Sequence, residues 1–132
     1  MPTKPTILFV DNDDTILLTL ERCLVSKKDD WDCRFTNSPE KALEECKSGA
    51  VNLVVADVRM PEMSGLDLAQ QIQAFGKQTR VWLLTAYEDQ LPKNVFDLVD
   101  GVLSKPLDPD FLISSISGAI ASAPHTAQSP QT

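Results

Sequence analysis

The sequence predicts an α/β fold: a doubly wound, open parallel sheet of five strands in (βα)5 order. Two observations lead to this prediction. Short, nearly continuous apolar runs recur along the chain, as strands buried on both faces require. Segments with helical periodicity separate these runs. Because right-handed crossovers between parallel strands place helices on both faces of a sheet, the alternation predicts one layered domain.

Five segments are predicted to be strands. Four are rich in β-branched and apolar residues: TILFV (6–10), VNLVVA (51–56), TRVWLLT (79–85) and GVLS (101–104). The fifth, WDCRFT (31–36), alternates between apolar and polar residues and is predicted to lie nearer an edge of the sheet.

The first two helices have recognisable boundaries. Four apolar residues of the segment DDTILLTLERCLVSKK fall on one helical stripe: Ile16, Leu17, Leu20 and Leu24. In SPEKALEECKSG, Ser38 is a predicted N-cap, Pro39 fits the first turn, and Gly49 ends the helix.

The later helices are less uniform. SGLDLAQQIQAFGK predicts a third helix and DPDFLISSISGAIAS a fifth. Pro92 interrupts the fourth segment, EDQLPKNVFDLVD, so a helix is predicted there only from about Pro92 onward. The polar segment APHTAQSPQT begins at Ala123, and residues 123–132 are predicted to be a disordered tail or the start of a linker after a domain of residues 5–122.

Composition limits the class of protein. Hydrophobic residues make up 42% of the 132 residues, as is ordinary for a globular domain, and the formal net charge is −7. This negative charge opposes attraction to phosphate backbones, so no direct nucleic-acid binding is expected. No apolar run approaches the ~20 residues of a membrane span, and MPTKPT lacks the apolar core of a signal peptide, so a cytoplasmic location without membrane association is expected.

Cysteine and histidine usage excludes two kinds of site. Cys23, Cys33 and Cys46 lie far apart with no CxxC spacing, and the only histidine is His125 in the polar tail. A zinc site or a Ser-His-Asp or Cys-His catalytic group is therefore not expected, and the thiols are predicted to be buried and reduced.

Polar residues follow the central strands of the predicted sheet. The first strand is followed by Asp11, Asn12 and Asp13, the third by Asp57, the fourth by Thr85 and the fifth by Lys105. Since the carboxyl ends of parallel strands meet at one edge, these side chains are expected to converge. Carboxylates with phosphate oxygens suit Mg²⁺, and a lysine with a hydroxyl suits a phosphoryl group. The edge therefore predicts phosphoryl transfer to or from a carboxylate.

Each of these residues also has an ordinary structural explanation. Asp13 is equally suited to cap the first helix, Thr85 is a common strand residue, and Lys105 before Pro106 fits an exposed surface. Their common position at one edge of the sheet favours a functional site over separate structural roles.

Four stretches of the chain form recognisable motifs: ILFVDND, VVADVRMPEMSGLDL, VWLLTAYE and GVLSKPLD. Through them the chain resembles, over about residues 5–120, the receiver domains of two-component response regulators, the CheY-like superfamily. It implies a bacterial phosphorelay protein with a flavodoxin-like sheet in the strand order 2-1-3-4-5. It also implies a signalling domain that turns over no separate substrate.

The resemblance implies a role for each matching residue at the strand ends. Asp57 would be the phosphoacceptor, taking its phosphoryl group from a sensor histidine kinase or a histidine phosphotransfer protein. Asp11, Asn12, Asp57 and the backbone carbonyl of Arg59 would hold Mg²⁺, for which Mn²⁺ is an accepted substitute. Because Asn12 stands where the family usually has a second acid, weaker Mg²⁺ binding is expected.

Other matching positions would support or tune this site. Thr85 would hydrogen-bond the phosphoryl group and Lys105 would pair with it, aimed by a cis peptide bond before Pro106. Gly65, in the MSG motif, is a structural position. Three positions are expected to tune the response: Arg59, Tyr87 and Val102, the last of which replaces the aromatic switch residue common in the family.

The resemblance also implies how the signal leaves the domain. Phosphorylation would remodel the face formed by the fourth predicted helix, the fifth strand and the fifth helix. An output domain or a partner protein would read that face. Phosphorylation-dependent homodimers form through this face in the family, and the sequence does not say whether this chain forms one. The sequence does not identify the cognate kinase.

Two alternatives compete with this interpretation. VDNDDT matches the DxDx[TV] motif of haloacid-dehalogenase-type phosphatases, with Asp11 as nucleophile and Asp13 as general acid. That class needs an acidic pair after its lysine strand. The phosphatase interpretation also leaves the motif VRMPEMSG unexplained. A pseudo-receiver that is only weakly phosphorylated would account for Asn12 and Val102, but the presence of Asp57, Thr85 and Lys105 argues against it.

Overall fold

The computed structural model describes residues 4–75 and 79–121. Within them, five strands form one parallel sheet: β1 (Thr6–Val10), β2 (Asp32–Thr36), β3 (Leu53–Asp57), β4 (Arg80–Thr85) and β5 (Gly101–Ser104). The strand order is β2-β1-β3-β4-β5, which confirms the predicted fold class and the edge position of the alternating strand. The predicted strand bounds agree with the structure to within two residues.

Four α-helices cover the two faces of the sheet: α1 (Asp14–Cys23), α2 (Pro39–Lys47), α3 (Gly65–Phe75) and α4 (Pro109–Ala121). The first face packs against buried residues of α2 and α3, among them Ala42, Leu68 and Ile72. The second face packs against α1 and α4. Burial on both faces explains why the central strands β1 and β3 are continuous apolar runs.

Local signals define the first two helices as predicted. Asp13 caps α1, its side chain accepting a hydrogen bond from the Thr15 backbone N–H at 2.9 Å. Ser38 caps α2 in the same way, accepting from Lys41 N–H at 3.2 Å. Gly49 follows α2 with φ = +79°, a left-handed conformation that glycine adopts without steric cost.

The helix predicted from about Pro92 onward is wrong. Between β4 and β5 the structure has two short 3₁₀ turns, Glu88–Gln90 and Val95–Asp97, and no α-helix. Proline restricts the residue before it, and Leu91 is extended with ψ = 151°. Beyond the proline, the chain is soon recaptured by β4, since Asp100 N–H donates to Val81 O at 2.8 Å. Too few residues remain for a stable helix, so the face predicted for output contains a 3₁₀ segment instead.

Some predictions fall partly or wholly outside the described residues. The tail of residues 123–132 and the domain boundary at 122 lie beyond them. In the part of the chain that the structure describes, no helix has the length and apolar character needed to cross a membrane. All three cysteines are free; Cys46 is buried as expected, whereas Cys23 and Cys33 are only half-buried.

Candidate functional site

Two aspartates lie at the carboxyl edge of the central strands. Asp57 ends β3, and Asp11 follows β1, where its backbone N–H donates to Thr36 O at 3.2 Å. Both are buried, with 2% of Asp11 and 7% of Asp57 exposed. Two buried carboxylates repel each other when both are charged, so a cation near them stabilises their charged forms.

Lys105 supplies a positive charge to both carboxylates. It follows β5, and its backbone N–H donates to Thr85 O at 2.9 Å. The ammonium Nζ lies 3.1 Å from Asp57 Oδ1 and 3.8 Å from Asp11 Oδ2. The structure thus brings together Asp11, Asp57 and Lys105, which are far apart in the sequence.

Asp11 is incompletely satisfied by the protein. Its Oδ1 accepts a hydrogen bond from Asp13 N–H at 2.9 Å, whereas its buried Oδ2 has no hydrogen-bond partner among the described residues. Burial raises the pKa of this carboxyl above its ordinary value, and the charge of Asp57 adds to the effect; the Asp13 N–H and Lys105 oppose it. A buried carboxylate oxygen that accepts no hydrogen bond and lies beside a second carboxylate is a position that a hard cation would fill.

The donor set fits Mg²⁺ and not a metal that needs many protein ligands. No third His, Cys, Asp or Glu joins the pair as a metal-binding group within residues 4–75 and 79–121. Asp13 is used as the cap of α1, and the neighbouring Asn12 has an exposed side chain. Mg²⁺ characteristically takes one or two carboxylates and completes its shell with waters and phosphate oxygens. The residues present therefore fit this ion.

Thr85 lies at the same edge of the sheet. It ends β4, is 4% exposed, and is paired in register with Ser104 of β5. Its hydroxyl oxygen accepts a hydrogen bond from Tyr87 N–H at 3.0 Å. The hydroxyl keeps its own proton, which is available for donation to a further oxygen.

A second cluster lies at the rim of the site. The guanidinium of Arg59, in the loop after β3, stacks on the ring of Tyr87, 4.5 Å from the centroid. Arg59 also donates to the side-chain oxygen of Gln90 at 2.9 Å. Sequence reasoning singled out Arg59 and Tyr87 but missed Gln90, because a glutamine in a polar turn belongs to no recognisable motif.

Three other predicted positions have different surroundings. Val102 is half-buried and packs against the apolar cluster on the α2–α3 face. Gly65 begins α3 in contact with the Asp57 backbone: a β-carbon there would lie 2.6 Å from the Asp57 carbonyl oxygen. Pro106 follows a cis peptide bond and lines an apolar cavity of about 270 Å³ that extends to Cys23 of α1.

Comparison with known proteins places this chain in a family. A family model described as the response regulator receiver domain matches residues 7–117. Similar proteins include the transcriptional regulatory protein ZraR of Klebsiella oxytoca, 34% identical over 133 aligned positions that cover 96% of this chain. They also include the response regulator protein TodT of Pseudomonas putida, 27% identical over 128 positions and 94% of the chain.

Solved structures share the fold. The signal receiver domain of an HD domain-containing protein from Pseudomonas fluorescens Pf-5 superposes with a TM-score of 0.78 at 26% identity, covering 91% of this chain and 89% of that one. The present chain spans only 28% of the ZraR sequence and 55% of the TodT sequence.

Proposed function

This chain belongs to the response regulator receiver domains of two-component systems, and we propose that it accepts a phosphoryl group on Asp57. The donor would be a phosphohistidine on a sensor histidine kinase or on a histidine phosphotransfer protein. Receiver domains generally act as signalling proteins that turn over no separate substrate. The observation that carries the proposal is the 3.1 Å contact of Lys105 Nζ with Asp57 Oδ1, next to Asp11 Oδ2, which accepts no hydrogen bond from the described residues.

The geometry supports an in-line transfer. An oxygen of the Asp57 carboxylate would attack the phosphorus, and the P–N bond of the phosphohistidine would break, leaving its electron pair on the imidazole nitrogen. Lys105 would pair with the charge on the phosphoryl oxygens, and Thr85 would donate its hydroxyl proton to one of them. Mg²⁺, held by Asp11, Asp57, the Asn12 side chain and the Arg59 carbonyl, would supply charge neutralisation at this site, as Mn²⁺ also can.

Phosphorylation would change the charge at a buried position. It adds nearly two negative charges and several strong acceptors at Asp57. We infer that Thr85 responds by turning its hydroxyl towards the new group, which draws in the segment after β4. The surface read by an output domain or a partner protein would then be β5, α4 and the two 3₁₀ turns Glu88–Gln90 and Val95–Asp97. The same surface is where a homodimer would form if phosphorylation drives dimerisation. We place the domain in the cytoplasm, where its kinase would act.

A small phosphodonor tests this proposal without the unknown kinase. The protein would be incubated with acetyl phosphate or phosphoramidate, with Mg²⁺ or with a chelator, and its intact mass measured. We expect a gain of one phosphoryl group that needs Mg²⁺ and is lost in Asp57→Ala. The matched control is Asp13→Ala, since this neighbouring acid caps α1 and should leave the mass gain in place.

Asp13→Ala and a further variant, Asp11→Ala, separate the two alternatives. Turnover of a phosphate ester that is lost in both Asp11→Ala and Asp13→Ala would support the phosphatase, in which Asp13 is the general acid. The use of the Asp13 carboxylate as a helix cap disfavours that role. No mass gain under any condition would support the pseudo-receiver and contradict the proposal.

A further inference from the structure

Arg59 connects the loop that follows Asp57 to the turn that follows Thr85. Its guanidinium stacks on Tyr87 at 4.5 Å and donates to Gln90 at 2.9 Å. Tyr87 and Gln90 are the two ends of one 3₁₀ turn, closed by a hydrogen bond from Gln90 N–H to Tyr87 O at 3.0 Å. One arginine side chain therefore holds both ends of this turn.

The same turn donates a hydrogen bond to the hydroxyl oxygen of Thr85. Tyr87 N–H donates to Thr85 Oγ1 at 3.0 Å, so the backbone held by Arg59 also orients the group that would bind the phosphoryl oxygens. A contact at the rim is thus linked to the buried site, because Arg59 stacks on the ring of Tyr87 and the Tyr87 backbone N–H is hydrogen-bonded to Thr85.

Apolar side chains attach the chain beyond the turn to the core, since Leu91 and Leu98 pack, partly buried, against the apolar cluster on the α2–α3 face. Val95 and Val99 are buried, but Phe96 between them is 66% exposed, and no α-helix spans the segment between β4 and β5. The turn at Tyr87–Gln90 is therefore held by Arg59 on its outer side and by the packing of Leu91, which follows it directly, on the core side. Loss of the arginine contacts would free the outer side.

We propose that Arg59 is a positioning residue that exchanges partners on phosphorylation. Its guanidinium would break its contacts with Tyr87 and Gln90 and would pair with the phosphoryl group on Asp57. The inference rests on the proposed function. A stacked ring and a neutral amide are weaker partners for a guanidinium than a phosphate, which it binds with two parallel charge-assisted hydrogen bonds. Arg59 is two residues from Asp57, so the competing partner would form on the same stretch of chain.

The exchange gives this chain a route for the signal. Position 102, where the family commonly has a switching aromatic residue, is Val102, packed in an apolar cluster. Release of Tyr87 would instead move the only tyrosine of the chain, which is 47% exposed at the start of the segment before β5. The turn after β4 would then change its position when Asp57 is phosphorylated.

Because Tyr87 is the only tyrosine, a fluorine label reports on it alone. The protein would be produced with 3-fluorotyrosine and its single ¹⁹F resonance recorded before and after phosphoramidate with Mg²⁺, with the intact mass read in parallel. In the unphosphorylated state we expect the Arg59→Ala resonance to be displaced from that of the wild type. Arg22→Ala, which removes an exposed arginine of α1, is the control and should leave the resonance in place.

Phosphorylation should shift the wild-type resonance towards the position seen in unphosphorylated Arg59→Ala, whereas the resonance of that variant should move little. Arg59→Lys keeps the charge but lacks the planar group, and its resonance should lie near that of Arg59→Ala in the free state. A mass gain with no shift in the wild type would overturn the exchange alone. An absence of mass gain would overturn the proposed function and the exchange with it, and coincident free-state resonances of wild type and Arg59→Ala would overturn the contact itself.

Discussion

The ammonium of Lys105 lies 3.1 Å from Asp57 Oδ1 and 3.8 Å from Asp11 Oδ2, so one cation serves two buried carboxylates. The sharing is unequal, because Asp57 receives a hydrogen bond from Lys105 and the Oδ2 atom of Asp11 receives none from the described residues. The site therefore retains excess negative charge without a metal. That excess costs stability and creates affinity for a divalent cation.

Asp11→Asn should stabilise the metal-free protein by about 1 kcal/mol, because the change removes one of two repelling charges. The amide oxygen can still accept the hydrogen bond from Asp13 N–H. Urea unfolding in the presence of a chelator measures the difference. Mg²⁺ should raise the stability of the wild type more than that of the variant, and a variant less stable than the wild type without metal would contradict the argument.

The stability difference should also depend on pH. Burial raises the pKa of Asp11 above the ordinary value of 3.8, so the folded protein takes up a proton at a higher pH than the unfolded chain does. The cost of the charge is therefore complete near neutral pH and is relieved as the pH falls towards 3.8. Unfolding of both proteins across this range should show their free energies of unfolding converging, and a constant difference would exclude the titration of Asp11 as the cause.

Asn12→Asp should tighten Mg²⁺ binding by about tenfold, because a second carboxylate next to Asp11 adds charge where the present amide offers only a neutral oxygen. Isothermal titration calorimetry of the unphosphorylated protein measures the dissociation constant. Asn94→Asp adds the same charge on an exposed turn and is the control, for which little change is expected. Equal effects of the two substitutions would show that net charge alone attracts the ion.

Gly65→Ala should destabilise the protein by about 2–3 kcal/mol, because the new methyl group would lie 2.6 Å from the Asp57 carbonyl oxygen and 3.0 Å from the Leu83 side chain. Gly118→Ala is the matched control in α4, where a β-carbon meets no atom within 4 Å. This change should stabilise the helix by about 0.5–1 kcal/mol. Chemical denaturation measures the free energy of unfolding of both variants. Equal effects would show that the close approach of the Asp57 backbone does not exclude a larger side chain at position 65.

Two of the three thiols should react slowly in the native protein. Burial raises the pKa of Cys33 and of Cys46 to about 11, with smaller contributions from the neighbouring acids Asp32 and Glu45. At pH 8 only about 0.1% of either would be thiolate. Iodoacetamide should therefore modify Cys23 first, as peptide mapping would show. In denaturant the three rates should become similar, and a native Cys33 as reactive as Cys23 would contradict this prediction.

Local patterns in the sequence were enough to predict most of the fold. Burial on both faces produces continuous apolar strands, and caps such as Ser38 act within a few residues, so both appear in the sequence itself. The prediction of a helix after Pro92 was wrong because two effects compete in that segment. The pattern after Pro92 favours a helix, but the hydrogen bonds that tie Asp100 to β4 end the segment early. Those bonds join residues 19 positions apart, so no local pattern carries them.

The sequence by itself determined that acids, a hydroxyl and a lysine lie at one edge of a parallel sheet, because strand ends follow from periodicity and topology. Only the tertiary structure decided which contacts each of these side chains makes. It placed Lys105 between Asp57 and Asp11, assigned Asp13 to the helix cap, and joined Arg59 to Gln90. These assignments depend on distances between side chains from different loops, and such distances are set by the packing of the whole sheet rather than by neighbouring residues.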